Sequence, residues 1–333
     1  FYGKGTGATP ITIGNPDLKW ERTLSTNIGV DFTAFRGRVD LSADYYIKNT
    51  DNLLLDITKA PSVGVTTSRE NIGEVQNSGF ELRLRTFPIQ NKDWQWSLGL
   101  TYAYNKNKIK KISNSLREQN EKNKADNGVA PLPIYEEGQS LTALKVVPSA
   151  GIDPVTGQEI FIKRDGTYTF VYDSNDKVIF GDTNPIGTGS INSYLTYKRF
   201  ALSCSFLYSF GGSLYNETLA TKVEGANPKY NADERVLNDR WKTPGTIAKY
   251  KRIDDTTTPY QTSRFVEKNN FLRMSSLSLS YEVPTTFIQK YGLKRMFLEL
   301  LTNDLFYLST AKRERGLNYP YDRSFEFSVR FSL

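Results

Sequence analysis

The sequence predicts an all-β fold: about nine antiparallel strands forming part of a large transmembrane β-barrel with long extracellular loops. Three observations carry this reading. Apolar residues recur with period two in segment after segment. No window approaches the ~18 consecutive apolar residues that a membrane-spanning helix needs, whereas alternating barrel strands never produce such a run. The connections between alternating segments are short and long by turns. Aromatic residues make up 13% of the 333 residues, which separates the chain from disordered sequences.

The first alternating segment, Leu24 to Phe32, puts Leu24, Ile28, Val30 and Phe32 on one face and Ser25, Asn27, Gly29 and Asp31 on the other. A tight turn at Arg36-Gly37 leads into a second strand, Val39 to Lys48, so that the two form a hairpin. Ala60 to Val65 breaks the pattern, and Gly79 to Arg85 restores it with Glu81, Arg83 and Arg85 on one side. After a polar turn from Pro88 to Asp93, the segment Trp94 to Tyr104 alternates most cleanly. Trp94 and Trp96 sit at one end of its apolar face, Tyr102 and Tyr104 at the other. A bilayer-crossing strand places aromatics at its two interfaces in this way. A sandwich strand with aromatic core residues is the competing reading.

From Lys106 the chain turns polar, with a basic run through Lys111, until about Ser190. Within it, Glu159 to Ile162, Gly166 to Phe170 and Lys177 to Phe180 predict small hairpin strands, hence a structured loop. Ile191 to Tyr197 and Phe200 to Tyr208 follow, joined at Lys198-Arg199. A second irregular section, 211 to 268, precedes strands at Phe271 to Tyr281 and Met296 to Leu301. Ser324 to Leu333 closes the chain with unbroken alternation.

Connections are short at 35–38, 88–93 and 198–199, medium at 284–294, and long at 57–67, 106–189, 211–268 and 308–323. Outer-membrane barrels sort their loops this way, with short periplasmic turns opposite long extracellular loops. The last strand then runs toward the periplasm, which puts the C-terminus there. Single-chain bacterial barrels close with even strand numbers, and an open edge in hydrocarbon leaves backbone groups unsatisfied. An odd count of nine therefore predicts a larger barrel with earlier strands missing. Phe1 to Gly7 shows neither a basic nor an apolar leader region, as expected either of a protein that is not exported or of a mature or internal piece.

Several pieces, in order along nearly the whole chain, resemble signatures of the SusC/RagA-like outer-membrane proteins of Bacteroidota. They are Asn15-Pro16-Asp17-Leu18-Lys19-Trp20-Glu21, Asn71 to Glu81, Gly151 to Gly157, Phe210 to Asn216, Phe271 to Tyr281 and the closing Phe327 to Leu333. The resemblance implies a TonB-dependent transporter with a barrel of about 22 strands, an N-terminal plug and a SusD-like surface lipoprotein as lid. Residues 1–333 would be the C-terminal segment of its barrel, with the plug and earlier strands outside this chain. TonB would act through that missing N-terminal part. Phe327, Phe331 and Leu333 would carry the C-terminal insertion signal, although the family commonly ends in Phe. Asn303-Asp304-Leu305 matches the family pattern only loosely.

With no histidine and a single cysteine, Cys204, the chain cannot build a disulfide framework, a cysteine-rich zinc site or a histidine-based triad. No carboxylate spacing isolates an acid–base pair, so no enzyme, cofactor or metal is expected. Asp173-Ser174-Asn175-Asp176 lacks the glycine and the bidentate glutamate of a calcium loop and reads as a polar turn. The net charge of +7 is spread among acidic residues without a recognition motif, so no nucleic-acid partner is expected. Lys106 to Lys111 lies just beyond the Tyr102 and Tyr104 end of its strand, where cations meet outer-leaflet lipid or lipopolysaccharide phosphates. Asp40, Asp44, Glu81, Arg83, Arg85, Glu326 and Arg330 fall on the lumen side, to contact a plug or water. Among loop aromatics, Tyr168, Tyr215 and Trp241 are candidates for substrate or lid contact, with lid docking or loop packing ahead of direct substrate stacking.

The function expected is import of large nutrients, glycan oligosaccharides or peptides, with a SusD-like partner; dimers of transporter–lid pairs are part of the resemblance. A non-transporting structural subunit of a surface assembly is the alternative. A soluble adhesin or carbohydrate-binding module is a third reading, disfavoured by the sorted loops.

Overall fold

The computed structural model describes residues 14–59, 65, 67–227, 229–230, 233–312 and 322–333. Its frame is one antiparallel wall. The strands β1 (Arg22–Ala34), β2 (Val39–Thr58), β3 (Thr67–Gln90) and β4 (Trp94–Ile112) lead into it. After β4 come a helix, α1 (Asn114–Ala125), and five short strands: β5 (Ala143–Val146), β6 (Ser149–Ile152), β7 (Glu159–Ile162), β8 (Tyr168–Thr169) and β9 (Val178–Asp182). The wall resumes with β10 (Gly187–Tyr197), β11 (Phe200–Tyr215), β12 (Val266–Glu282), β13 (Arg295–Asn303), β14 (Tyr307–Ser309) and β15 (Phe325–Ser332). Its strand order is β1-β2-β3-β4-β10-β11-β12-β13-β15, with β14 also paired to β12.

Register carries one side-chain parity across the sheet. Phe32 lies opposite Leu41, Leu41 opposite Leu84, Leu84 opposite Leu100, and Leu100 opposite Ile191. The belt continues through Leu195–Leu202, Leu202–Leu279, Leu279–Leu300 and Leu300–Phe327. No described element covers it: Phe80, Phe200, Leu279, Leu300 and Phe327 all remain exposed. A soluble sandwich would bury such a face against a second sheet; a bare apolar belt is the lipid face of a barrel. The opposite face carries the expected lumen charges, with Asp40 opposite Arg85, Ser42 opposite Arg83 and Asp44 opposite Glu81. On β15, Arg330 pairs with Glu299 at 2.8 Å.

Aromatics form a row at each end of the belt. Trp94 packs on Tyr197 with ring centroids 4.1 Å apart, and Phe200 on Tyr281 at 4.6 Å. The indole N–H of Trp96 donates to Ser193 Oγ at 3.0 Å. At the far end, Tyr102 and Tyr208 flank Phe210, each with a centroid separation of 6.3 Å. Ten residues separate Trp94 from Tyr104; at ~3.3 Å per residue and a tilt of ~40° the rows lie about 25 Å apart, the height of a barrel's apolar band.

Among the described residues no pairing joins β1 to β15, so both outer strands keep a free edge. A hydrocarbon environment forbids such edges. The wall is therefore a segment of a larger barrel.

The structure corrects the expected elements in four places. First, β2, β3 and β4 run ten or so residues past their alternating segments. Bulges between Thr50 and Leu53 and between Glu74 and Val75 reverse the parity. There Ile57, Ile72, Ile109 and Ile112 form a core with Leu116 on one face while Lys106, Lys108 and Lys110 stay exposed on the other, so the apolar-outward alternation of the belt no longer marks the strand. Second, α1 was not anticipated within the loop after β4; Ser113 caps it, accepting the Leu116 amide at 3.2 Å. Third, β9 pairs with β5, whereas the sequence placed it beside the two preceding hairpin strands. Fourth, the turn before β13 contains a helical segment, α2 (Thr285–Ile288). Asp173 to Asp176 forms a short 3-10 turn capped by the Asp173 carboxylate. Phe1 to Gly7, most of the break at 60–65 and residues 313–321 of the last connection lie outside the described residues.

Gly79 sits under the Tyr46 ring, where a Cβ would collide with Tyr46 and with the Tyr104 carbonyl. Gly79→Val is expected to cost about 1–3 kcal/mol by overpacking. Gly29→Ala, which meets only the mobile end of Asp44, should stay within about 0.5 kcal/mol. Urea unfolding of the detergent-solubilised barrel measures both.

Candidate functional site

Both long loops stand at one end of the wall and interlock into a single crown. The Val147 amide donates to Gln261 O and the Ser263 amide to Val147 O, each at 3.0 Å. Ser149 N donates to Ser263 Oγ at 3.0 Å. Gln261 is fully buried, and its Nε2 reaches Asp126 Oδ2, Gly128 O and Ala130 O at 2.8–3.1 Å. Lys177 Nζ closes the end of α1 by donating to Lys124 O and Asp126 O at 3.1 and 3.0 Å, the cation-at-C-terminus arrangement that a helix favours.

The centre of the crown is an ion triad. Arg264 Nε and Nη2 donate to Glu159 at 2.7 Å each. Its Nη1 and Nη2 donate to Glu224 at 2.7 and 2.6 Å, and Nη1 also to Lys249 O at 2.8 Å. All five guanidinium protons are thus engaged. Side-chain exposure is 9% for Arg264, 6% for Glu159 and 0% for Glu224, so these are charges held by one another and not by water. Burial alone would lower the arginine's pKa; hydrogen bonds and charge from Glu159 and Glu224 outweigh it and raise the pKa above its usual range. Below the triad, Ala220, Val223, Val236, Tyr250 and Phe265 form an apolar core. Arg240 caps it, donating to the carbonyls of Val223, Glu224, Val236 and Lys251. Tyr172 stacks on Tyr260 at 4.2 Å, with Phe161 edge-on to both.

The three candidate contact aromatics occupy different settings. Tyr168, on β8, is 70% exposed. Tyr215, at the end of β11, is taken into the crown: its hydroxyl donates to Val129 O at 2.7 Å and its ring meets Phe265 edge-on. Burial raises its phenol pKa. Trp241 donates its indole N–H to Pro154 O at 2.9 Å and lies over Gly157, where a Cβ would strike the ring and where φ is +72°. Trp241 also lines a cavity of about 360 Å³ with Leu237, Lys242, Arg252 and Ile253; Tyr168 and Tyr215 do not line it. The sequence did not single out Arg264, Glu159 or Glu224. They lie 105 and 40 residues apart, and the only local signal was charge set among apolar residues, as in Glu159-Ile160-Phe161-Ile162. Among the described residues no group of three Cys, Asp or Glu side chains converges to hold a metal.

A family model described as "TonB dependent receptor-like, beta-barrel" matches residues 1–135. The TonB-dependent receptor P39 of Formosa agariphila is 25% identical over 92% of this chain and 33% of its own length. The TonB-dependent receptor SusC of Bacteroides thetaiotaomicron is 27% identical over 80% of this chain and 26% of its own. The RagAB peptide importer in its closed-closed state superposes with a TM-score of 0.78 over 96% of this chain and 36% of that one, at 22% identity. Along its whole length the wall is similar to the barrel walls of TonB-dependent receptors. The chain spans about a third of the length of the curated relatives it matches. Among the described residues the crown is the part that stands clear of the apolar belt.

Arg264→Met leaves two buried carboxylates without a partner and is expected to loosen the crown by about 3–5 kcal/mol, seen as faster proteolysis of 211–268 with the wall intact. Hydrogen bonds from the Arg235 side chain and amide hold the Asp233 carboxyl below the usual carboxylate range. A lowered pKa contributes stability that is present above the unfolded value, about 3.9, and is lost as pH falls below it. Hydrogen-exchange protection at 233–240, taken relative to the intrinsic rate at each pH, should therefore fall below about pH 4, and Arg235→Gln should flatten that dependence.

Proposed function

We propose that this chain is wall and crown of an outer-membrane SusC-like importer that takes up large nutrients, glycan oligosaccharides or peptides, beneath a SusD-like lipoprotein. The uncovered apolar belt, set under one interlocked crown, carries this reading. The belt would face lipid, its aromatic rows of Trp94, Trp96, Tyr102 and Tyr104 would mark the two interfaces, and the crown would stand outside the cell. β15 then ends in the periplasm. Phe327 and Leu333, both exposed on β15 and just beyond it, would be read with Phe331 by the insertion machinery.

The relative named SusC and the structural neighbour titled a peptide importer support import as the activity. A plug carried by the rest of the protein would fill the lumen against Asp40, Asp44, Glu81, Arg83 and Arg85, and would receive energy from TonB. No covalent step is assigned to this chain. Transport of this kind works by access, with binding outside and a plug shift within.

Exposed Tyr168 is the candidate lid or substrate contact. Tyr215 and the indole N–H of Trp241 instead hold the crown together. Tyr168→Ala in the intact protein is expected to lower co-purification of a surface lipoprotein several-fold while leaving the barrel folded. A protein that purifies alone and supports no nutrient uptake contradicts the reading.

A further inference from the structure

Beyond its aromatic row, β4 continues into Lys106-Asn107-Lys108, and the two residue types face opposite ways. Asn105 Oδ1 accepts the Tyr46 hydroxyl at 3.1 Å, and Asn107 Oδ1 accepts the Leu141 amide at 2.6 Å, both on the inner side. Lys106 and Lys108 therefore share the outer face with Tyr102 and Tyr104. Lys106, Lys108, Lys110 and Lys111 are all exposed. Opposite Lys106 on β3 stands Ser78, and opposite Lys108 stands Gln76, both neutral.

Among the described residues no carboxylate forms an ion pair with any of the four lysines, Glu74 standing opposite Lys111 in register without one. Some exposed cations of the wall and its extensions have such partners, Arg22 with Asp51, Arg69 with Asp56, Arg295 with Glu282 and Arg330 with Glu299; Lys48, Arg83 and Arg85, exposed without one, lie on the opposite, inner face. Height completes the picture. Two and four residues past Tyr104, at ~3.3 Å per residue and ~40° tilt, Lys106 and Lys108 lie about 5 and 10 Å beyond the apolar band, in the headgroup layer.

We propose that this unpaired lysine face is a docking surface for the phosphates of an anionic glycolipid headgroup in the outer leaflet, one side of the barrel wall being held by lipid A. The inference rests on the outer-membrane reading above. Phosphate supplies the charge that the neighbouring strand withholds, and the tyrosines beneath would seat the sugar–acyl boundary.

The test is native mass spectrometry of the intact protein from detergent, with bis-phosphorylated lipid A or zwitterionic phosphatidylethanolamine as probe. Wild type should retain lipid A, and Lys106→Gln with Lys108→Gln should retain at least about tenfold less, with phosphatidylethanolamine unchanged and the heat-modifiable mobility of a folded barrel preserved. Raising salt should release lipid A from wild type. Equal retention by wild type and variant, or displacement of lipid A by millimolar inorganic phosphate, overturns the docking surface and leaves the importer reading standing. Wild-type protein that enters neither phosphatidylethanolamine vesicles nor vesicles of phosphatidylethanolamine with lipid A overturns the outer-membrane reading and the docking surface together.

Discussion

Backbone hydrogen bonding without water is the constraint on which the rest of this structure depends. In hydrocarbon every N–H and C=O must find a partner within the sheet, so the strands pair edge to edge without a break from β1 to β15. Period-two alternation follows, since one face meets lipid and the other the lumen. The free edges of β1 and β15 are what that rule does not allow, so it requires further strands to close the cylinder. Aromatic rows about 25 Å apart mark where that requirement ends. Beyond them water returns, and the chain uses helices, short strands and buried charge.

The crown obeys a different economy. Its two loops are far apart in sequence and enter from different strands, so no local propensity joins them. Long-range bonds join them, those of Val147 and Gln261 together with a charged triad whose arginine spends every donor on Glu159, Glu224 and a carbonyl. Replacement of such a triad by apolar residues is often tolerated, whereas removal of one member is not. The triad therefore acts as a registration device: it fixes which segment of 106–189 faces which segment of 211–268. A crown of fixed shape over a barrel mouth is what binding a partner or a nutrient at that mouth requires.

The wall was legible because its burial is one-sided. Leu98, Leu100 and Tyr102 alternate with Ser97, Gly99 and Thr101, and that pattern placed nine strands in order. It failed where bulges reversed the parity and the outer face turned polar, so the parts of β2, β3 and β4 beyond the belt were read as loop. It also failed where pairing was non-local: nothing in Val178–Asp182 names Ala143–Val146 as its partner. α1 left a faint trace in Ser113 followed by helix-favouring residues, overshadowed by the strands on either side. Loop tyrosines looked alike in the sequence, and only packing separates exposed Tyr168 from Tyr215, whose hydroxyl is spent on Val129.

Site-directed spin labelling along β4 tests the two-faced wall most directly. With Cys204, the chain's one cysteine, changed to serine, single cysteines at positions 97 to 101 would be labelled in bilayer-reconstituted protein. Relaxation by dissolved oxygen, concentrated in the hydrocarbon, would be compared with relaxation by a water-soluble nickel complex. Oxygen accessibility peaking at Leu98 and Leu100, with the nickel complex or immobilisation dominating at Ser97, Gly99 and Thr101, is the predicted result. Equal accessibility at all five positions, or oxygen peaks at the polar positions, would contradict the account.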